Sequence, residues 1–339
     1  MSASFPRIAR PASGLLVIDG ATVEDLVSPS EALPLVEDAL RKTSSGVAQQ
    51  DVRRTLGLPG EAGTCLSLMY ASLADRPHFG AKVQSVFPKN FEQQMPSHQG
   101  GVILFEAETG RPVALINATA ITGLRTPAAT AVATRTLSRP ESCELAILGY
   151  GEQAERHIAS IALVRPISRI RVWGRDFHKA ATFANAQREK GHQIDPMPTA
   201  QAAVEGADIV CTVTSAQLPV LQGAWLAPGA HVNAVGASVP ALREIDLDCV
   251  TRARIWVDYM PMALTAAADI FEPLSAGLID RARIVGEIGA VLNGQAPGRG
   301  DDQEISLYRS LGVPAQDIEF ANFVYRRARE LGRGVEISL

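Results

Sequence analysis

Cysteine is scarce and scattered. Cys65, Cys143, Cys211 and Cys249 form no C-x-x-C pair, and no histidine cluster lies at metal-ligand spacing, so neither a metal site nor a disulfide framework is expected. A reducing, cytoplasmic compartment is the simpler reading, with each cysteine a small buried apolar residue rather than a nucleophile. Long apolar runs are missing too: residues 1–10 hold two arginines but no apolar h-region, and no stretch elsewhere reaches spanning length. Neither secretion nor a membrane anchor is expected. Positive charge is not in excess. With 32 Lys and Arg against 36 Asp and Glu, the net charge of −4 offers no general attraction to nucleic acid or an anionic membrane, and any anion must be bound locally. No internal repeat is visible.

What is present is ordinary globular material, 46% hydrophobic and 20% charged over 339 residues, a length that suits two domains sharing chain segments. Up to about residue 117 the reading is mixed α and β. The spacing of Ala32, Leu35, Val36 and Leu40 predicts a helix over 29–44, capped by Ser28 or Ser30. Strands are expected at 64–70, 79–86, 101–106 and 112–116, the last two as a hairpin. The loop at 88–99, rich in Pro, Asn and Gln, is either a surface connection or a lid on the substrate side. From 118 to 137 small residues dominate, and Pro127 suits the first turn of a helix whose free N–H groups face whatever lies ahead of Thr126. After Pro140, strands at 144–148, 169–173, 209–214, 231–235 and 254–257 and near Pro196 alternate with helices at 153–164, 179–190 and 200–205. That alternation predicts a doubly wound parallel sheet. Beyond Pro261 the chain reads as helical and irregular, ending in a helix over 315–331.

The strand at 145–148 runs into Gly149-Tyr150-Gly151-Glu152-Gln153-Ala154. A pyrophosphate needs close backbone approach and a helix N-terminus, so the first two positions of G-x-G-x-x-G/A require glycine and the third a small residue. Gly149, Gly151 and Ala154 fill them. Alone the motif is weak; the strand before it, the helix after it and a second strand ending at Gly174-Arg175-Asp176 make it specific. The end of that second strand meets the adenosine ribose, where a lone acid favours NAD and an arginine favours the 2′-phosphate of NADP. Arg175, backed by Lys179, tilts the expectation to NADPH, with NADH left open. The plain alternative is that Asp176 caps the next helix and its neighbours face solvent.

An oxidoreductase of this kind needs a cationic pocket for a substrate carboxylate, and the candidates outside the dinucleotide unit are Arg53, Arg54, Lys82 and Arg125. Lys82 stands inside an apolar predicted strand, so it either meets an anion or snorkels to water. Arg125, beside Thr126, offers a fork that fits cofactor phosphates or a carboxylate. His98 is a proton carrier at neutral pH or simply a loop histidine. Glu244 and Asp246 read as a surface turn or helix start.

The run 100–137, with Leu104-Phe105-Glu106, Thr109-Gly110, Ile121-Thr122 and Arg125-Thr126, is followed by Gly149-x-Gly151-x-Gln153-Ala154, by His231-Val232-Asn233-Ala234-Val235-Gly236-Ala237-Ser238 and by Ser310-Leu311-Gly312. In that order, over most of the chain, it resembles the ornithine cyclodeaminase and mu-crystallin family. The resemblance implies an α/β fold: a Rossmann domain with a doubly wound parallel sheet over 121–314, wrapped by a discontinuous mixed α+β substrate-binding and dimerisation domain over 1–120 and 315–339. It also implies a homodimer. Arg53, Lys82 and Arg125 become the substrate-binding and catalytic trio, with Arg53 preferred to Arg54 because mu-crystallin-like sequences carry a Val-Arg pair there. Thr126, Gly149, Gly151, Glu152, Gln153, Ala154, Arg175, Thr214, Val235 and Gly236 are the expected cofactor contacts.

One departure matters. Where ornithine cyclodeaminases proper carry an aspartate that handles the substrate amine, this chain has Ser238, as mu-crystallin and the ketimine reductases do. A serine cannot act as a base with a carboxylate's ease at neutral pH. The expected reaction is therefore NAD(P)H-dependent reduction of a cyclic ketimine carboxylate, Δ1-pyrroline-2-carboxylate or Δ1-piperideine-2-carboxylate, to L-proline or L-pipecolate, with Ser238 beside the substrate. Ornithine cyclodeaminase, an alanine-dehydrogenase-like amino acid oxidoreductase and a non-catalytic NADPH-binding protein are the alternatives, in that order.

Overall fold

The structure, a computed structural model, describes residues 14–59, 63–93 and 95–338. The reading of residues 1–10 lies outside the described residues. Two eight-stranded sheets organise the chain. Leu15–Ile18 (β1), Ala48–Gln50 (β2), Arg54–Gly57 (β3), Cys65–Leu73 (β4), His78–Val86 (β5), His98–Glu106 (β6) and Pro112–Asn117 (β7) belong to the first. Glu144–Leu148 (β8), Arg169–Trp173 (β9), Ile194–Pro196 (β10), Ile209–Thr212 (β11), His231–Ala234 (β12), Arg254–Val257 (β13), Ile284–Glu287 (β14) and Ser306–Arg309 (β15) form the second, and Val335–Ile337 (β16) returns to the first.

The first sheet runs β16-β1-β7-β6-β5-β4-β2, with β3 also on β4, and is mixed: β1 and β7 are parallel and its other pairings antiparallel. β6 and β7 form the expected hairpin. β4 alternates buried and exposed residues along its length, as a strand with one face on a core must. The second sheet is wholly parallel, in the order β10-β9-β8-β11-β12-β15-β13-β14. Its strands are covered on both faces, and β11 and β12 are buried at every residue. The order reverses between β8 and β11, and the crevice beyond the carboxyl ends of such a pair is where an open parallel sheet binds ligands.

Two helices join the sheets. Ala118–Leu137 is buried almost all round and packs on four neighbouring helices and on strands of both sheets. Its start corrects the sequence reading: Asn117 is the N-cap, accepting the Ala120 N–H at 2.9 Å, and Pro127 lies mid-helix. A proline there removes one backbone bond, but a helix enclosed on every side is held by packing that outweighs the loss. Pro314–Leu331 leaves the second sheet and lies across the inner face of the first, against β4, β5 and β6. Pro29–Ser45 is capped by Ser28, whose hydroxyl and Glu31 form a reciprocal capping box.

Two further expectations change. The segment beyond Pro261 contributes β14 and β15, which the sequence hides because β15 buries Ser306 and Arg309 in internal hydrogen bonds instead of showing an apolar run. His98 and Gln99 extend β6 rather than ending a loop, since β6 continues its pairing with β5 as far as Val86. Three of the four cysteines are buried and Cys143 is half-buried. Among the described residues no helix is long and apolar enough to cross a membrane.

Candidate active site

β8 delivers its chain into the crevice at Gly149, which sits at φ +126°. A side chain there would also meet the Val213 carbonyl at 2.8 Å, so both backbone angle and space demand glycine. Gly151 is the N-cap of the helix Glu152–Ala162 and supplies no side-chain cap; the position a Cβ would take is open. The first-turn N–H groups of that helix are therefore available to an anion. Ala154 is fully buried beneath them. The Glu152 side chain turns away to Arg156 at 3.0 Å, leaving its backbone as its part in the turn. Thr126 Oγ1 and Gln153 Oε1 are buried without a hydrogen-bond partner among the described residues. These features fit a pyrophosphate-bearing cofactor, which would satisfy donors and acceptors that the fold leaves unmatched.

Past β9, Arg175 is exposed and has no partner among the described residues, while Asp176 accepts the Lys179 N–H at 3.1 Å as N-cap of Phe177–Glu189. On the other side of the crevice, Thr214, Val235 and Gly236 follow β11 and β12. Here Glu244 overturns its sequence reading. It is not a surface residue but fully buried, accepting Thr214 N–H and Oγ1 at 2.5 and 2.8 Å, Thr212 Oγ1 at 2.9 Å, and the Gly236 and Ala237 N–H groups at 2.6 and 3.1 Å. Burial pushes its pKa up, and the Thr214 donors and the Arg309 charge restrain that rise. Val235 N–H donates to the Thr212 carbonyl at 3.1 Å, so one carboxylate and one ladder bond fix the rim. Asp246, by contrast, is a helix start, capping Leu247–Arg252.

Lys82 points from β5 to the buried face of the first sheet and is 1% exposed. Its ammonium lies 2.9 and 2.8 Å from the two carboxylate oxygens of Asp317 and 3.4 Å from Thr122 Oγ1. Burial, and then the charges of Arg125 and Arg53, lower its pKa to about 7 against the pull of Asp317. Arg125 donates from Nε to Asp317 Oδ1 at 3.2 Å and from a terminal nitrogen to Gln316 Oε1 at 3.4 Å. Its guanidinium lies where a side chain of Gly312, at φ +77°, would stand. Arg53 donates to the Ser238 carbonyl at 3.0 Å and the Leu311 carbonyl at 2.8 Å. Arg54 is exposed and pairs with Asp51 at 2.6 Å, so Arg53 is the arginine at the pocket.

Lys82, Arg53 and Arg125 thus converge, and Ser238 meets them through its backbone with its side chain half-buried beside the crevice. His98 is exposed at the first residue of β6, and desolvation, and then the charges of Lys82, Arg53 and Arg125, lower its pKa to about 4. These charges disfavour the protonated ring. The sequence reading missed Asp317 and Asp258. Asp317 shares a helix face with Ala321, Val324 and Ala328, and an acid in an apolar stripe requires a cation partner. Asp258 is buried and accepts the N–H groups of Leu311 and Gly312, each at 2.6 Å, which holds the 310–312 turn against both arginines.

The fold and the sequence have known relatives. Residues 16–332 match the profile of the ornithine cyclodeaminase/mu-crystallin family. A Δ(1)-pyrroline-2-carboxylate reductase of Bacillus cereus is 32% identical over 325 residues, covering 95% of this chain and 99% of the relative. The structure of the Thermococcus litoralis Δ(1)-pyrroline-2-carboxylate reductase in complex with NADH and L-proline superposes with a TM-score of 0.91 at 31% identity, covering 95% of this chain and all (100%) of that one. An archaeal alanine dehydrogenase dimer with bound NAD superposes with a TM-score of 0.89 at 30% identity, covering 95% of this chain and 98% of that one. With the parallel sheet, the glycine turn and these matches in hand, the chain belongs to the ornithine cyclodeaminase/mu-crystallin family and is one of its NAD(P)-dependent oxidoreductases.

Proposed function

We propose that the chain reduces a cyclic ketimine carboxylate, Δ1-pyrroline-2-carboxylate or Δ1-piperideine-2-carboxylate, to L-proline or L-pipecolate, with NADPH as reductant. The observation that carries this reading is the convergence of Lys82, Arg53 and Arg125 beside a crevice whose rim presents Ser238, while the buried rim carboxylate, Glu244, is taken up by the N–H and O–H donors of Thr212, Thr214, Gly236 and Ala237. The glycine turn, the open helix start at Gly151 and the Thr214 to Gly236 rim would hold the cofactor, which when bound supplies a hydride. The free N–H groups of Arg53 and Arg125 would take the substrate carboxylate and so turn the C=N carbon towards the crevice. Lys82, with its pKa near 7, can hand a proton to the imine nitrogen at neutral pH, which makes that carbon electrophilic. Deamination of ornithine asks for a carboxylate free to act on an amine, and Asp317 is tied through Oδ1 to Lys82 at 2.9 Å and Arg125 at 3.2 Å, with its Oδ2 2.8 Å from the same ammonium.

The preference for NADPH rests on Arg175, exposed and unpaired among the described residues at the ribose end, while Asp176 is spent on a helix cap. We also propose a homodimer formed through the outer face of the first sheet, where Leu66, Leu68, Tyr70, Phe79, Val83 and Leu115 are each more than a third exposed. So much contiguous apolar surface marks an interface. Sedimentation of the purified chain as a monomer at micromolar concentration would remove that part. The cytoplasm, where the four free cysteines stay reduced, suits the chain.

The alanine dehydrogenase relative supports a second reading, reduction of an open-chain imine. One panel decides: NADPH or NADH oxidation is followed with both cyclic imines, with pyruvate plus ammonia, and with L-ornithine while ammonia is measured. Turnover of a cyclic imine is expected. Turnover confined to pyruvate plus ammonia favours the second reading; ammonia and proline from L-ornithine, with both imines inert, would make the chain a cyclodeaminase. Cofactor binding with no turnover on the whole panel leaves a binding protein.

A further inference from the structure

The polar and charged groups around Lys82 come from four elements and two loops, and the sum of their charges is informative. Arg53 stands before β3, Arg125 and Thr122 on Ala118–Leu137, His98 on β6, Cys65 on β4, and Gln316 and Asp317 on Pro314–Leu331, with Asp258 behind the arginines. Three cations face two carboxylates, and Asp258 is occupied by the backbone of the 310–312 turn. That leaves Asp317, among the described residues, as the one anion in contact with Lys82. Fully buried, it reaches the site because Pro314–Leu331 crosses the inner face of the first sheet with its first turn over β5.

We propose that Asp317 is the positioning residue of this site: its Oδ1 holds both the Lys82 ammonium and the Arg125 guanidinium, and its Oδ2 lies against the same ammonium, so that Lys82 keeps a proton to deliver and Arg125 turns its remaining N–H groups to the substrate carboxylate. The inference rests on the ketimine reading for the identity of the acceptor, and on the contacts alone for the hold on Lys82. In the step itself one Lys82 N–H bond breaks and one N–H bond forms on the imine nitrogen. The C=N carbon then accepts the hydride, the ring leaves as the amino acid, and neutral Lys82 regains its proton from water. The net charge of the five groups is +1 with Lys82 protonated, which one substrate carboxylate neutralises.

Asp317→Asn keeps the shape and removes the charge, so Arg53 and Arg125 are left unopposed and Lys82 loses its proton at lower pH. The alkaline limb of kcat/KM should move down by at least about one pH unit, lowering the rate roughly tenfold at any pH above both limbs and much less below them. A purely structural residue would lower the rate equally at every pH, and that outcome overturns the proposal. Two measurements on the full-length protein stand beside it. The ¹³C-methylene signal of Lys82, identified by its loss in Lys82→Met, should titrate at lower pH in Asp317→Asn; an unchanged midpoint overturns the proposal. In the wild type, which needs no variant to fold, the Asp317 carboxyl signal should shift at the Lys82 midpoint; a flat signal overturns it. A wild type that titrates in this way yet reduces neither imine supports Asp317's hold on Lys82 and removes the substrate reading alone.

Discussion

The cofactor crevice and the cationic pocket lie side by side and are made of different materials. The crevice is built from backbone: a glycine turn, a helix start without a side-chain cap, and two strand ends locked by one buried carboxylate. The pocket is built from charged side chains drawn from a loop, a strand and two helices, in which Asp317 ties Lys82 to Arg125 and two backbone carbonyls hold Arg53. Backbone donors are positioned by the fold itself and change little when a side chain is replaced. Buried side-chain charges depend on one another, and removing one leaves its partner uncompensated. Substitutions in the pocket should therefore strike catalysis hard and cooperatively, whereas those at the crevice should act on cofactor affinity in smaller steps.

The strongest way to break that contrast is Lys82→Ala. Turnover should fall by about a thousandfold or more, as expected when a general acid and a carboxylate contact are lost together, while cofactor affinity measured by fluorescence titration stays within about twofold. A matching loss of cofactor affinity would mean that pocket and crevice are not separable. Gly312→Ala comes next. It places a methyl against the Arg125 guanidinium at a backbone angle that disfavours alanine, and KM for the imine should rise about tenfold to a hundredfold, with roughly 1–2 kcal/mol of stability lost. An unchanged KM would show that Arg125 does not bind the carboxylate. On the crevice side, Glu244→Gln replaces an acceptor-only group by one whose amide must face an N–H donor. We expect about 2 kcal/mol less stability in urea unfolding and a several-fold weaker cofactor, with KM for the imine unchanged. Equal effects on imine and cofactor would erase the division of labour between the two regions.

The same difference in materials decides what could be read from the chain. The crevice is written in adjacent residues: Gly149 to Ala154 form one local turn whose chemistry does not wait for the rest of the fold, and the parallel strands flanking it are apolar runs. The pocket is written across more than 260 residues, from Arg53 to Asp317, and only the packing of Pro314–Leu331 onto the first sheet joins them. Lys82 was visible as an oddity, a charge inside an apolar strand, but its partner lay on a helix with no local sign beyond its position in a buried stripe. Glu244 misled for a related reason. Three of its five donors are backbone N–H groups beyond two other strand ends, and a sequence shows no unpaired N–H. β15 was hidden by its own polar residues, since a strand whose serine and arginine are satisfied internally has no alternation to detect.

The smallest predicted effect tests the crevice at its most exposed point. Arg175 is free of partners among the described residues and open to water, so its attraction for a 2′-phosphate acts through high dielectric and is worth on the order of 1 kcal/mol. Arg175→Ala should raise KM for NADPH about fivefold and leave KM for NADH unchanged. Because an exposed charge pair is screened, the difference should shrink as salt is raised towards 1 M, where the Debye length falls to about 3 Å. Lys179, one turn into the following helix, should add a smaller share of the same sign, since its backbone already serves the Asp176 cap while its side chain is exposed. If NADPH and NADH respond alike to Arg175→Ala at every salt concentration, the phosphate is not read at the end of β9. The cofactor choice would then have to come from the backbone rim at Thr214 and Gly236, which would make the crevice as dependent on its side-chain partner Glu244 as the pocket is on Asp317.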